Sequence, residues 1–275
     1  MSERSAGHAQ WAAIDDTDDP DFFVRFLDAS RGAALDVARR DPAAFFSYLD
    51  VRPGSSVLEV GCGLGEMARV LARLVGTSGR VVGVDYSETM IRQARQRISP
   101  DDGPVTFQRG DIMALDIPDA EFDRTRVEQV LQHVADPRRA VAEMARVTRP
   151  GGRVVALEPD WDSLVIDAAD LATSQAFTAF NSRCVVPHGR IGRQLPTLFR
   201  EAGLGDLSVV PQGILAGYEG TREFVVTNTA RAVAEGVMDE GAAQAWLDDL
   251  HARAADGLYI AAFLLFRVSG VVLAP

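Results

Sequence analysis

Short apolar runs alternate with stretches of helical periodicity through the middle of the chain. Strands are predicted at 57–61, 81–85, 104–108, 122–127 and 152–158, and helices at 64–76, 87–98 and 137–147. This alternation is typical of right-handed crossovers between parallel strands. We therefore predict an α/β fold with a doubly wound, mostly parallel sheet.

Both ends of the chain depart from this alternation. The polar start, 1–20, is followed by helical spacing over 22–40 and a short helix over 42–49, which together predict a helical cap. After the sheet core, the pattern predicts a helix at 193–202, a strand at 207–210, two amphipathic helices within 220–256, and a last strand at 259–273. Helical segments are therefore expected both before and after the core region along the chain.

Composition and charge limit the class of function. A chain of 275 residues that is 47% apolar can bury one large core. Its net charge of −11 lacks the basic surface that nucleic-acid binding needs, so DNA and RNA are excluded as partners. The longest apolar run, 258–266, is far shorter than the roughly 18 to 20 residues of a membrane span. With no signal-like apolar segment in 1–10, we expect a cytoplasmic protein with no membrane partner.

The cysteines and histidines give no indication of a disulfide or a metal. One of the two cysteines, Cys62, lies inside a glycine-rich turn that a disulfide to Cys184 would distort. Four scattered histidines lack the spacing of metal ligands. We therefore predict two reduced thiols and no metal site.

A glycine-rich turn follows the first predicted strand and precedes a helix. Gly61 and Gly63 allow positive φ and let a ligand approach main-chain N–H groups. The next strand ends in Asp85, near the roughly 20-residue spacing at which an acid binds a ribose diol. These features predict an adenosine-type cofactor. Glu66 occupies the place where a dinucleotide site needs a small residue, and its charge, like that of Glu59, favours a cationic sulfonium over a diphosphate.

Five motifs occur in a fixed order between about residues 45 and 160. They are Glu59-Val60-Gly61-Cys62-Gly63-Leu64-Gly65, Val84-Asp85-Tyr86-Ser87, Gly110-Asp111-Ile112, Phe122-Asp123 and Arg149-Pro150-Gly151-Gly152-Arg153. They resemble the motifs of class I S-adenosylmethionine-dependent methyltransferases, close to the ubiquinone/menaquinone-biosynthesis-like (methyltransferase type 11/25) branch. The resemblance implies a Rossmann-like methyltransferase fold with seven strands, the last one antiparallel, and S-adenosyl-L-methionine as cofactor. It also implies a cap or lid over 1–50, a cofactor-binding core over 51–160, and substrate-pocket helices with the last two strands over 161–275, all in one domain.

The resemblance also implies roles for individual residues. The expected cofactor-binding residues are Arg25, Glu59, Gly61, Cys62, Gly63, Asp85, Tyr86, Met90, Gly110, Asp111, Ile112 and Glu128. Asp85 would bind the ribose, although it could instead cap the next helix, a role for which Ser87 is better placed. Asp111 would accept the adenine amino group or simply form a turn. Arg25 would bind the methionine carboxylate or form a surface ion pair, and Glu128 lies beside the cofactor or in solvent.

Two residues are candidates for catalysis. His133 lies in a segment, 130–137, that resembles the family's V-L-H-H-x-x-D-P motif, with Gln132 in place of the first histidine. It acts either as a base toward the acceptor or only as a pocket wall. Glu158 either orients His133, acts as the base itself, or is a solvated acid. Trp161 would form an aromatic wall or cover the sheet edge.

The predicted activity is in-line transfer of the sulfonium methyl group to a small, aromatic or polycyclic acceptor of the natural-product type. O-, N- and C-methylation all remain open, and so does a homodimer. A non-methylating member of the fold, a cyclase or a binding module, is one alternative, and a nicotinamide-dependent oxidoreductase is another. Arg124 and Arg126 are unexpected in a central strand, where they indicate either a functional pocket or a misplaced strand boundary.

Overall fold

One seven-stranded sheet carries the fold in the computed structural model, which describes residues 8–30 and 32–274. The strands are β1 (Ser56–Val60), β2 (Arg80–Asp85), β3 (Val105–Arg109), β4 (Phe122–Glu128), β5 (Thr148–Ile166), β6 (Leu204–Ala216) and β7 (Ala261–Val272), in the order β3-β2-β1-β4-β5-β7-β6. Strands β1 to β5 pair in parallel, and β7 runs antiparallel to β5 and β6. The predicted seven-stranded, mostly parallel α/β sheet is confirmed.

Helices cover both faces of the sheet. They are α1 (Pro20–Ser30), α2 (Gly32–Arg40), α3 (Pro42–Phe45), α4 (Glu66–Val75), α5 (Glu88–Gln96), α6 (Pro137–Val147), α7 (Leu171–Phe180), α8 (Ile191–Glu201), α9 (Tyr218–Ala234) and α10 (Glu240–Ala255). Successive side chains of a strand point to opposite faces. Leu58 of β1 accordingly packs in the core under α6 and α8, and Val57 packs in the core under α4 and α5. Burial on both faces explains the continuous apolar runs of the central strands.

Two strands, β5 and β6, are much longer than predicted, because they continue pairing with β7 beyond the part of β5 that pairs with β4. Beyond residue 158, β5 pairs with the start of β7 as far as Ile166, and β6 pairs with the same segment up to Ala216. Asp160 interrupts the apolar pattern of β5, so the sequence signal stopped there; in the structure it is buried and paired with Arg193. This three-stranded extension packs against α7, α9 and α10.

The helical cap is divided into more pieces than predicted. The single helix expected over 22–40 is two helices, α1 and α2, and the segment 42–49 is α3 followed by a 3₁₀ turn, Ser47–Leu49. A further 3₁₀ segment, His8–Asp16, lies within the predicted polar start, of which residues 1–7 are outside the described part of the chain. The cap therefore extends further toward the start of the chain than the hydrophobic pattern indicated.

Candidate active site

The glycine-rich turn joins β1 to α4 at the carboxyl edge of the sheet. Gly61, Gly63 and Gly65 have φ of +67°, +51° and +73°, which other residues adopt only with strain. A Cβ on Gly61 would lie 2.1 Å from a methyl group of Val130. The N–H groups of Gly61 and Cys62 donate to the carbonyl of Val84 at 2.7 and 3.0 Å, so the turn is attached to the end of β2.

Asp85, the last residue of β2, also bonds to the glycine turn, through its side chain. Its carboxylate accepts the Gly63 N–H at 2.8 Å and the Ser87 N–H at 3.0 Å. A carboxylate offers about four acceptor positions, so capacity remains for the two hydroxyls of a ribose. Burial raises the pKa of Asp85, although the two N–H groups oppose the shift. Ser87 caps α5 by accepting the Met90 N–H at 3.2 Å, so the capping role falls to Ser87, as predicted.

The residues expected around adenine lie after β3. The Gly110 N–H donates to the Asp85 carbonyl at 2.9 Å, which places this segment beside the predicted ribose position. The Asp111 carboxylate accepts a hydrogen bond from the Met113 N–H at 2.8 Å. This bond belongs to a turn, which was the alternative to adenine binding that the sequence left open for Asp111. Ile112 is buried in the core under α6.

Tyr86 and Met90 differ sharply in exposure. Tyr86 is 54% exposed, with the Arg109 guanidinium 5.5 Å above its ring, so its surface is accessible to a ligand. Met90 is buried and packs with Leu64 of the glycine turn and with Phe23 of α1. Met90 therefore fills the space between the glycine turn and the cap.

The first segment of the cap, His8–Asp16, contacts this edge of the sheet through Asp15 and Trp11. The Asp15 carboxylate accepts hydrogen bonds from the Ser87 hydroxyl (2.7 Å) and from the N–H groups of Glu88 (2.7 Å) and Thr89 (3.1 Å). At the other end, the indole of Trp11 stacks on the His133 ring with centroids 6.1 Å apart. The segment His8–Asp16 thus bridges the predicted ribose and methyl-transfer positions, a role that sequence reasoning missed because this stretch reads as polar and irregular.

Arg25 lies on the surface of α1. Its side chain is 64% exposed and pairs with Asp19 at 2.6 Å. This is the surface ion pair that the sequence left open, and the geometry gives no support to the predicted contact with the methionine carboxylate. Asp19 lies immediately before α1, six residues before Arg25, and is close enough to pair with its guanidinium.

A buried ion network explains the unexpected arginine in β4. Arg126 is fully buried and pairs with Glu59, its register partner on β1, and with Glu128 at the end of its own strand. Its Nε also donates to the Tyr48 hydroxyl at 3.2 Å. Burial lowers the pKa of Arg126, but the interactions with Tyr48, Glu59 and Glu128 outweigh burial and hold that pKa well above its usual range. The predicted strand boundary is therefore correct.

Glu59 belongs to this ion network. Its side chain is 5% exposed and lies beneath the glycine turn, paired with Arg126, so the predicted cofactor contact has no support in this geometry. Glu128 is 16% exposed and is the most accessible of the three charged side chains in the network. Arg124, by contrast, lies outside this network and pairs at 2.9 Å with Asp50, a residue that precedes β1.

Cys62 is buried in the glycine turn as a thiol. Burial, reinforced by the charges of Asp85 and Glu59, raises its pKa well above the usual range. It is therefore neutral and a poor nucleophile. Both Cys62 and Cys184 are free cysteines, as predicted. Among the described residues no cluster of three or more metal-ligating side chains occurs.

Glu158 lies within β5, just beyond the last residue that pairs with β4, and it holds the turn that carries His133. Its Oε1 accepts the N–H groups of Val130 and Leu131, both at 2.8 Å, whereas the buried Oε2 makes no hydrogen bond. Burial raises the pKa of Glu158 to about 8, although the backbone N–H groups oppose the shift. Of the three alternatives for Glu158, the solvated acid is wrong because the side chain is 0% exposed, and the carboxylate makes no hydrogen bond to the His133 ring. Glu158 contacts the backbone of the turn that carries His133.

Three aromatic rings, Trp161, Phe224 and Phe263, form what we call the aromatic wall. Trp161 stacks on Phe263 and Phe224 with centroids 4.9 and 5.8 Å apart. Its indole N–H donates at 2.8 Å to Gln132, the residue before His133. The wall is therefore attached to the turn that carries His133.

The order of strands, the glycine turn and the carboxylate at the end of β2 together define an S-adenosylmethionine-binding α/β protein. The residues fit that cofactor, because Asp85 keeps acceptor capacity for a ribose and Glu66 begins α4 where a diphosphate would be repelled. A family model described as a methyltransferase domain matches residues 58–156.

Comparison with known proteins identifies the family. The chain is 43% identical over 248 residues to an uncharacterised 37.1 kDa protein in transposon Tn4556 of Streptomyces fradiae, covering 89% of this chain and 70% of that protein. It is 32% identical to a demethylmenaquinone methyltransferase of Symbiobacterium thermophilum over 203 residues, 65% of this chain and 80% of that protein. The chain belongs to the class I S-adenosylmethionine-dependent methyltransferases, and S-adenosyl-L-methionine is its cofactor. The oxidoreductase alternative is therefore wrong.

A solved structure agrees with the fold. Phosphoethanolamine N-methyltransferase 2 of Haemonchus contortus, in complex with S-adenosyl-L-methionine, superimposes with a TM-score of 0.54 at 18% identity, covering 86% of this chain and 53% of that one. In the part of the chain that the structure describes, none of the helices combines the length and apolar character needed to span a membrane.

Proposed function

We propose that this methyltransferase acts on a small, flat, aromatic or polycyclic acceptor, by O-, N- or C-methylation. The observation that carries the proposal is the aromatic wall, which Gln132 ties to the turn bearing His133. Stacked aromatic rings gain about 0.5 to 1.5 kcal/mol per pair beyond their burial, which favours a conjugated ring over an aliphatic ligand. The name of the Symbiobacterium relative, a demethylmenaquinone methyltransferase, supports a quinone-like acceptor.

Glu158, His133 and Trp11 each have a separate role in the proposed reaction. When bound, the cofactor supplies an electrophilic methyl group on a sulfonium that leaves as a neutral thioether. Glu158 fixes the turn at 130–131 and thereby positions His133. His133 accepts the proton that the acceptor gives up as its nucleophilic atom bonds to the methyl carbon. Trp11 covers His133 on the cap side and helps to exclude water.

Product analysis by mass spectrometry tests this proposal. The protein is incubated with S-adenosyl-L-methionine and either 1,4-dihydroxynaphthalene or phosphoethanolamine, and a gain of one methyl mass is sought. We expect methylation of the aromatic acceptor, with roughly tenfold loss of kcat/KM in Trp161→Ala and retention in Trp161→Phe. Methylation of phosphoethanolamine alone would refute the aromatic acceptor, and cofactor binding without methyl transfer to a wider aromatic panel would favour the non-methylating alternative.

A further inference from the structure

The sequence contains two asparagines, Asn181 and Asn228, and the structure buries both. Asn181 is 0% exposed and Asn228 is 3% exposed. Neither the amide oxygen nor the amide nitrogen of Asn181 has a hydrogen-bond partner, and the amide oxygen of Asn228 also lacks one. Buried polar groups are almost always hydrogen-bonded, so three such atoms on two side chains call for an explanation.

The helices that carry these asparagines bring them into the same interface. Phe177 contacts Phe224 with ring centroids 6.1 Å apart, and the Arg231 guanidinium donates to the Cys184 carbonyl at 3.2 Å. Residues three or four apart share a helix face. Asn181 lies between Phe177 and Cys184 in the sequence, and Asn228 lies between Phe224 and Arg231. The two contacts therefore bracket both carboxamides along the interface of α9 with α7 and the turn that follows α7, Asn181–Val185.

This interface is continuous with the aromatic wall. Phe224 belongs to the wall through its stacking on Trp161 and also contacts Phe177. Asn228 follows Phe224 by one helical turn, and Asn181 follows Phe177 by one turn, a rise of about 6 Å along each helix. Asn181 also begins a π-helical turn, Asn181–Val185, a local irregularity that is frequent at functional sites.

An unpaired buried carboxamide destabilises the fold unless a ligand completes its hydrogen bonds. We propose that Asn181 and Asn228 bind an oxygen atom, a carbonyl or hydroxyl, at the end of the acceptor remote from the methylated atom. A carboxamide both donates and accepts, so the pair recognises either form of that oxygen. This inference rests on the proposed function and extends it: the acceptor is an oxygenated ring system, and these two residues set its specificity.

Thermal unfolding tests the inference without any acceptor. We expect Asn181→Leu and Asn228→Leu to raise the Tm of the acceptor-free protein by roughly 2 to 6 °C, because each removes unsatisfied polar atoms. Thr229→Val is the control, since the buried Thr229 hydroxyl is already bonded to the Val225 carbonyl at 2.7 Å. A fall in Tm of several degrees in both leucine variants would overturn the proposal, because the carboxamides would then be satisfied within the protein or by water.

Binding of a matched pair of probes provides the second test. Equilibrium dialysis compares 2-methyl-1,4-naphthoquinone with 2-methylnaphthalene, which has the same ring system without the oxygens. We expect Asn228→Leu to weaken quinone binding about tenfold and to leave hydrocarbon binding and cofactor binding unchanged, and Thr229→Val to change none of the three. An unchanged preference for the quinone in Asn228→Leu would overturn the inference. Trp161→Ala separates the two proposals. If this substitution leaves the affinities for both probes unchanged, the aromatic wall is not part of the acceptor site. The Tm measurements on the leucine variants then decide the role of the asparagines.

Discussion

The carboxyl group of Glu158 is the titrating group whose replacement tests the architecture of the active site most directly. It is completely buried, it bonds to two backbone N–H groups of the turn that carries His133, and its second oxygen makes no hydrogen bond. Glu158→Gln keeps a carbonyl oxygen for the two N–H groups but removes the ionisation. The variant therefore imitates the protonated acid at every pH.

The contribution of Glu158 to the pH dependence of the free energy of unfolding follows from its pKa, which burial raises from 4.5 to about 8. Below pH 4.5 the folded and unfolded states both carry the proton, so the free energy of unfolding does not depend on this group. Between pH 4.5 and 8 the unfolded chain releases the proton and the folded protein keeps it, so stability falls as pH rises, by up to about 1.4 kcal/mol per pH unit. Above pH 8 the loss is complete.

Chemical unfolding at several pH values measures this effect. We expect the free energy of unfolding of Glu158→Gln, relative to the native sequence, to rise by about 2 to 3 kcal/mol between pH 5.5 and pH 7.5. Glu223→Gln, at an exposed position of α9, serves as the control and should show no such trend. Parallel pH profiles for Glu158→Gln and the native protein would refute the reasoning, because Glu158 would then be ionised throughout and its two N–H donors would outweigh burial.

Three further predictions concern the cofactor edge, the ion network and the cap. Asp85→Ala should abolish measurable cofactor binding in calorimetry, whereas His133→Ala should leave affinity within about threefold and slow turnover; equal affinities in the two variants would contradict the assignment. Arg126→Met leaves buried carboxylates without their cation and should lower the free energy of unfolding by about 3 to 5 kcal/mol in urea, while Arg124→Met at the more exposed pair should cost less than half of that. Asp15→Asn should release the segment His8–Asp16, seen as faster limited proteolysis there and weaker cofactor affinity, and an unchanged cleavage rate would show that Asp15 does not hold the cap.

Local patterns predicted the central elements of the fold well. Helix α6 has the predicted bounds, 137–147, because an Asp136 cap, a proline at its first position and helical apolar spacing coincide. Strands β1 to β4 agree within one residue of the prediction. β1 and β2 are largely apolar and buried, whereas β3 is an edge strand with alternating burial and β4 contains two arginines. The long ends of β5 and β6 could not be predicted, since their pairing partner, the start of β7, lies about 50 to 100 residues further along the chain.

The candidate site divides in the same way. The glycine turn and Asp85 belong to one strand-helix-strand unit, so spacing alone brought them together. The contact of Trp11 with His133 and the hydrogen bond of Trp161 to Gln132 join residues that are far apart in the sequence. No local pattern reports such pairs.

The sequence by itself determined the class of fold, the adenosyl cofactor and the edge of the sheet that binds it, because these depend on periodicity and on short motifs whose conformations are local. Only the tertiary structure decided that Arg126 neutralises Glu59, that Glu158 acts through a turn, and that both asparagines are buried with polar atoms that make no hydrogen bond. Burial and pairing are properties of segments brought together from distant parts of the chain, so the ionisation and the hydrogen bonding of these side chains are set only when the chain is folded.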